Sequence, residues 1–260
     1  MLKRLVGVIT VKNNWAVQSI GYKKYLPLGR PEVLAENFDR WQLDEILIVD
    51  IDRSRLNLGP NFELLEKVTS KRLMTPLCYM GGIRNSHDAL KCINKGADRI
   101  ALDNLFRQDP VVANFIADSI GRQAIVRVQP LLVKGKEVFC YDYLQRCWSK
   151  RLDPENFVES SNHFSELMIV DVENEGVLEA FNERFISLFE GSDLQLICFG
   201  GISNRSQASR ILSRPEVSAI AIGNSLSHKE IPHKSILPET EVDIARQTSF
   251  GKITRGAKDW

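Results

Sequence analysis

Eight short runs of apolar, mostly β-branched residues punctuate the chain, at positions 5–11, 45–51, 76–79, 99–102, 124–129, 166–172, 195–199 and 219–222. Between them lie longer stretches in which apolar residues recur at helical spacing. PEVLAENFDRW opens with Pro31, a residue suited to a first helical turn, and NSHDALKCINKG opens on a capping Asn85 and stops at Gly96. Strands apolar on both faces, alternating with amphipathic helices, predict βα units around a parallel sheet.

The second half of the chain echoes the first. IVDID at 48–52 returns as IVDVE at 169–173, MGGIRN from Met80 as FGGISN from Phe199, and IALDN from Ile100 as IAIGN from Ile220. Eight βα units in two equal halves predict one α/β domain, a closed (β/α)8 barrel with a pseudo-twofold half-barrel repeat. It would span residues 1–231, with half-barrels at about 1–120 and 121–231, followed by a separate tail at 232–260. An open doubly wound sheet is disfavoured because no GxGxxG follows the first strand. After the fifth strand, LLVKGKEVFCYDY alternates around a Lys-Gly turn and predicts an inserted hairpin.

Charge adds an exclusion. Lys and Arg total 34 against 33 Asp and Glu, so no global field draws the chain to nucleic acid or an anionic membrane. The five cysteines (Cys78, Cys92, Cys140, Cys147, Cys198) form no CxxC pair and read as free thiols rather than disulfides or a metal site. The opening MLKRLVGVITVK is too short an apolar run for a signal peptide, and no stretch reaches membrane-spanning length, which predicts a cytoplasmic protein. No metal and no cofactor is expected.

In such a barrel the chemistry sits where strands end and the following loops begin. A GGI turn after strands 3 and 7 lets backbone N–H groups approach an anion, because glycine lacks the Cβ that would block it. The DN pair at 103–104 and GNS at 223–225 close strands 4 and 8 similarly. Two symmetric anion sites would suit a ligand phosphorylated at both ends; the alternative is that the glycines only make tight turns.

These residues resemble the HisF family, the cyclase subunit of imidazole glycerol phosphate synthase. GADRIALDN, QAIVRV, GRPEVLAENF, LDEILIVDID and the paired GGI turns fall in that family's order from residue 1 to about 231. The resemblance implies a barrel that receives ammonia from a HisH-type glutaminase under its N-terminal face. It also implies that ammonia crosses the barrel to react with a bisphosphorylated ribonucleotide at the opposite face. Carried over by position, phosphate contacts would come from Gly82, Asp103 and Asn104 on one side and from Gly176, Gly201, Asn224 and Ser225 on the other. Arg4, Glu45, Arg99 and Glu166 would form the family's charged ammonia gate, with arginine at 99 for the usual lysine, and Asp98 and Gln123 would face the glutaminase.

The chain also departs from the pattern. The family has Asn then Thr where Asp103 and Asn104 stand, and Glu175 stands for an aspartate. A carboxylate repels a phosphate, so the anion sites are either degraded or retuned. Of the family's two proton-transfer aspartates, the first is Thr10, and the second is Pro130, or Gln129 under a one-residue shift. Neither replacement exchanges protons usefully at neutral pH. Asp50 is either a substitute acid or a carboxylate satisfied at its strand's end.

An entrance kept while the acids are lost looks like the divergent HisF-like chains of surface polysaccharide gene clusters. That resemblance implies an ammonia conduit paired with a HisH-type glutaminase, feeding an ATP-dependent sugar amidotransferase that turns acetamido into acetamidino groups. The alternatives are a histidine-pathway cyclase working through Asp50 and water, and an inactive scaffold that activates the glutaminase. A phosphorylated small-molecule ligand remains compatible with all three. The stretch GYKKYLPLGR, with Lys23, Lys24 and Arg30, reads as a partner surface, an anion contact or a solvated loop. The tail ending in Trp260 reads as packing on the barrel or on a partner.

Overall fold

The computed structural model describes residues 2–227, so the predicted tail with Trp260 and the last positions of the predicted barrel lie outside the described residues. The described strands are β1 (Arg4–Lys12), β2 (Trp15–Ile20), β3 (Lys24–Gly29), β4 (Glu45–Asp50), β5 (Leu77–Met80), β6 (Arg99–Leu102), β7 (Ile125–Lys134), β8 (Glu137–Asp142), β9 (Cys147–Arg151), β10 (Glu166–Asp171), β11 (Leu196–Phe199) and β12 (Val217–Ile222). Eight of them pair in parallel in the order β1, β4, β5, β6, β7, β10, β11, β12, and β12 pairs back to β1. The result is a closed (β/α)8 barrel.

Helices cover its outside: α1 (Pro31–Arg40), α2 (Ile51–Arg55), α3 (Phe62–Thr69), α4 (Ser86–Asn94), α5 (Asn104–Gln108), α6 (Pro110–Ile120), α7 (Glu155–Glu159), α8 (Arg184–Ser187) and α9 (Arg205–Leu212). None is long and apolar enough to cross a membrane. Alternation along each strand divides the apolar residues into two cores. Val6, Val8, Leu47, Val49, Cys78 and Ala101 belong to the inner one, while Leu5, Ile9, Ile46, Ile48, Tyr79 and Ile100 pack outward under the helices. Cys92 and Cys198 lie in the outer core, and Cys78 lines the interior.

The twin motifs have a common architecture. A Cβ on Gly81 would come within 2.6 Å of the Asp50 carbonyl oxygen, and one on Gly200 within 2.5 Å of that of Asp171. Each first glycine thus lets one strand end lie against the neighbouring IVD strand end. Gly82 and Gly201 then turn the chain at φ +70° and +77°, a region that strains other residues. Asn85 caps α4 by accepting from Asp88 N at 2.9 Å, and Asn204 caps α9 by accepting from Gln207 N at 2.8 Å. The third helical residue reaches back in both: Arg84 N donates to Asp88 Oδ2 and Ser203 N to Gln207 Oε1, each at 3.1 Å. Much of the sequence repeat is therefore the cost of building the same strand-to-helix turn twice.

Two hairpins stand on the C-terminal rim. The predicted one after strand 5 is present, with β8 antiparallel to β7, and β9 adds a third strand. Strand β7 runs on through Pro130 to Lys134, past the predicted end at 129. Its pairing with β6 stops at Arg127, so the missing proline N–H breaks no ladder on that edge before β8 takes over at Leu131. The other hairpin corrects the loop reading of GYKKYLPLGR: β2 and β3 pair antiparallel around a turn at Gly21–Lys23 and extend β1. The paired lysines hid a stretch whose partner, WAVQSI, has strong strand propensity.

Candidate functional site

At the N-terminal end of the barrel, four side chains close a ring. Arg4 pairs with Glu45 at 3.0 Å and with Glu166, and Arg99 pairs with Glu45 at 3.2 Å and with Glu166 at 2.8 Å. They start β1, β4, β6 and β10, so every charge has a neighbour of opposite sign on both sides. Two hydroxyls that the sequence reading missed complete it. Ser218 donates to Glu166 at 2.5 Å, and Arg99 donates to Ser165 Oγ at 2.7 Å. Nothing in a lone serine at a strand start signals such a role.

The two carboxylates respond differently to this setting. Burial pushes Glu45 up from its ordinary value, against the pull of Arg99 and Arg4. For Glu166 burial acts the same way but is outweighed by Arg4, Arg99 and the Ser218 hydroxyl, so it sits below the ordinary value. Asp98 is exposed at the same end and accepts from Leu77 N at 2.8 Å, and Gln123 is exposed nearby in the chain before β7. Leu2 and Met74, at the starts of β1 and β5, are also exposed, Met74 by 90%.

Above the ring the interior is walled by apolar side chains and opens at the C-terminal mouth into a cavity of about 890 Å³. Thr10 is buried near the end of β1, on the inward side shared with Val6 and Val8. Pro130 shares the inward side of β7 with Val126 and Val128, whereas Gln129 faces outward and its Nε2 donates to the Pro130 carbonyl at 3.0 Å. The register thus puts Pro130, not Gln129, at the interior position. Asp50 is 4% exposed and accepts from Asn61 Nδ2 at 3.0 Å. Burial raises its pKa, partly offset by that hydrogen bond.

The first predicted anion set lies on one side of the mouth. Gly82 N donates to Ser54 Oγ at 3.0 Å, and Asn104 Oδ1 accepts from Arg107. Arg107 is also paired with Asp142 at 3.1 Å. Asp103 lines the cavity, and burial pushes its carboxyl up to about 7, with Arg107 opposing and Asp142 reinforcing the rise.

The second set, Gly176, Gly201, Asn224 and Ser225, converges around a separate cavity of about 150 Å³. A Cβ on Gly201 would meet Phe181 N at 2.7 Å, and the N–H groups of Ala180 and Phe181 donate to the Gly201 carbonyl. Asn224 is held by the first hairpin: its Nδ2 donates to the Ser19 carbonyl, and its Oδ1 accepts from Ser19 N at 3.3 Å. Glu175, the nearest carboxylate, accepts from Ser19 Oγ at 3.0 Å and Tyr22 N at 3.1 Å, and burial raises its pKa.

The two hairpins touch across the mouth. Tyr22 of the first meets Tyr143 of the second edge-on with ring centroids 5.2 Å apart, and Tyr141 stacks edge-on against Tyr143 at 5.4 Å. Lys12 lies over the Tyr25 ring at 4.7 Å, and Lys12 and Arg55 both pair with Asp52. No motif in the sequence announces this contact, because its members lie far apart in the chain.

Comparison with known proteins agrees with this architecture. Residues 4–232 match the family described as histidine biosynthesis protein. A chain provisionally named imidazole glycerol phosphate synthase subunit HisF in Leptospira interrogans is 24% identical, over 91% of this chain and 94% of its own. One provisionally named subunit hisF2 in Vibrio vulnificus is 26% identical over 95% and 90%. The imidazole glycerol phosphate synthase subunit HisF of Staphylococcus epidermidis is 25% identical over 88% and 91%.

Proposed function

Because this chain belongs to the histidine biosynthesis protein family as a divergent HisF-like member, we propose that it conducts ammonia from a HisH-type glutaminase to an acceptor at the C-terminal face. The reading places the acceptor in a sugar amidotransferase, converting acetamido to acetamidino groups in surface polysaccharide (O-antigen) synthesis in the cytoplasm. One contrast carries it: the charged ring is complete at the entrance, while Thr10 and Pro130 fill the two positions where proton-transfer aspartates belong. The apolar interior between them suits neutral ammonia, since an unpaired ammonium ion would be costly to bury. The alternative is a cyclase working through Asp50, which borders the cavity with one carboxylate oxygen held by Asn61.

The entrance face offers a docking surface in which exposed Leu2 and Met74 accompany Asp98 and Gln123. Titrating a HisH-type glutaminase onto the protein by fluorescence anisotropy is expected to show a saturable complex. Asp98→Lys should weaken it at least about tenfold, or roughly 1.4 kcal/mol. Asp98→Asn separates charge from scaffold, because the Asn oxygen can still accept from Leu77 N. Absence of a complex, or equal binding by Asp98→Lys, would remove the glutaminase from this face.

A further inference from the structure

The C-terminal mouth holds a carboxylate without a counterion. Asp103 borders the cavity of about 890 Å³, and among the described residues no hydrogen bond or ion pair reaches its carboxylate. The cations around it are committed elsewhere. Arg107 is paired with Asp142 and donates to Asn104, and Lys12 and Arg55 neutralise Asp52. Arg127 lies over the Phe106, Phe157 and Phe164 rings and donates to Ser160. Lys23 and Arg146 border the cavity only from exposed hairpin turns.

The surroundings of this carboxylate are aromatic. Tyr22, Tyr141 and Tyr143, which meet edge-on across the mouth, all border the same cavity. Burial raises the pKa of the Tyr22 hydroxyl, with Glu175 and Asp103 reinforcing the rise, and burial with Tyr22 and Asp103 raises that of Tyr143. These two rings thus stay uncharged phenols, whose faces carry the negative part of the aromatic quadrupole. Beside them the chain's own cations already use such faces: Lys12 lies 4.7 Å over Tyr25 and Lys134 4.1 Å over Trp148. Among the described residues no cation is placed over Tyr22, Tyr141 or Tyr143. Asp50, with one oxygen held by Asn61, adds a second carboxylate to the cavity wall.

We propose that the mouth binds an organic monocation, with its positive head on Asp103 and its body against the rings of Tyr22, Tyr141 and Tyr143. An uncommitted carboxylate supplies the charge, and neutral aromatic faces supply a surface that favours a cation over an uncharged ligand of the same shape. Deeper in the cavity the wall is apolar, with Val128, Met168 and Phe199. The fitting ligand is therefore an amidinium or amine carried on an apolar frame. The proposal does not depend on ammonia transfer or on any partner, and its test needs neither.

The test is an amide chemical-shift titration of the isotopically labelled protein with benzamidinium chloride and, separately, with its uncharged counterpart benzamide, on the alkaline side of the Asp103 midpoint of about 7. Benzamidinium is expected to give saturable shifts at Asp103, Asn104 and Tyr143, and benzamide to bind at least about tenfold more weakly. Asp103→Asn keeps the shape and removes the charge, so it should cost benzamidinium at least about tenfold in affinity and leave benzamide unchanged. Asp103→Glu, which keeps the charge, should retain most of the binding. Tyr143→Leu should weaken benzamidinium at least about threefold. No saturation, saturation mapped away from these residues, or equal affinity for the two ligands overturns the proposal. So does undiminished benzamidinium binding by Asp103→Asn or by Tyr143→Leu.

Discussion

Given the bisphosphorylated ribonucleotide of HisF cyclases and excess ammonium salt, the protein is expected to turn over at least about ten-thousandfold more slowly than a cyclase with both aspartates, since each positioned acid or base contributes roughly a hundred- to ten-thousandfold. Ammonium salt bypasses any glutaminase, so the experiment isolates the C-terminal face. The physical reason lies in two side chains. Thr10 occupies the inward position near the end of β1, where its hydroxyl is a very weak base, and Pro130 has no titratable group at all. Asp50 borders the cavity with one carboxylate oxygen held by Asn61, and substrate turnover by an Asp50→Asn variant would separate any contribution it makes. Substrate consumption within tenfold of the authentic enzyme would show that proton transfer runs through other groups and would sink the conduit reading.

Breaking the basal ring should have the second largest effect. Glu166→Leu strands Arg4, Arg99 and the Ser218 hydroxyl around an apolar side chain. Removing one partner from a buried ion pair costs about 3–5 kcal/mol, which urea denaturation would read directly. In a reconstituted complex the same variant should leave glutamine hydrolysis running while acceptor-dependent product falls. A scaffold that merely activates the glutaminase would show no such uncoupling. Glu166→Gln guards against simple misfolding, since it keeps a hydrogen-bond acceptor at the site.

The pH dependence has a defined sign. Glu166 sits below its ordinary value in the folded protein, so the stability it contributes is fully present above the unfolded carboxylate value near ~4.3 and is lost as pH falls through the folded value. Glu45, which burial raises, works in the opposite sense. The difference between the unaltered protein and Glu166→Gln should therefore shrink on acidification. A constant difference from neutral to acid pH would mean that the Glu166 charge contributes nothing to the ring's stability.

The legible parts of this protein are those where chemistry repeats at short range. Apolar runs at strand spacing and the turn motifs after strands 3 and 7 give the barrel, because Gly82 and Gly201 turn the chain at positive φ and Asn85 and Asn204 cap the helices that follow. The ring was readable through the HisF resemblance, which matches its four charges to Arg4, Glu45, Arg99 and Glu166 at four strand starts. The shift between Gln129 and Pro130 needed β7's register to decide, since both residues are buried and only alternation tells inside from outside. Other features depend on residues meeting across long sequence distances. Tyr22 with Tyr143, Ser218 with Glu166 and Asn224 with Ser19 carry no local signature, and the lysines of the first hairpin disguised its strand character.

The tyrosine contact between the hairpins also has a place in the barrel's symmetry. β1 and β7 stand on opposite sides of the barrel, four strands apart either way round. A bridge between their extensions spans the mouth, and its rings Tyr22, Tyr141 and Tyr143 line the cavity there. On the proposed conduit reading, ammonia leaving the interior passes these three rings, so the hairpins that carry them are the surfaces an acceptor meets first.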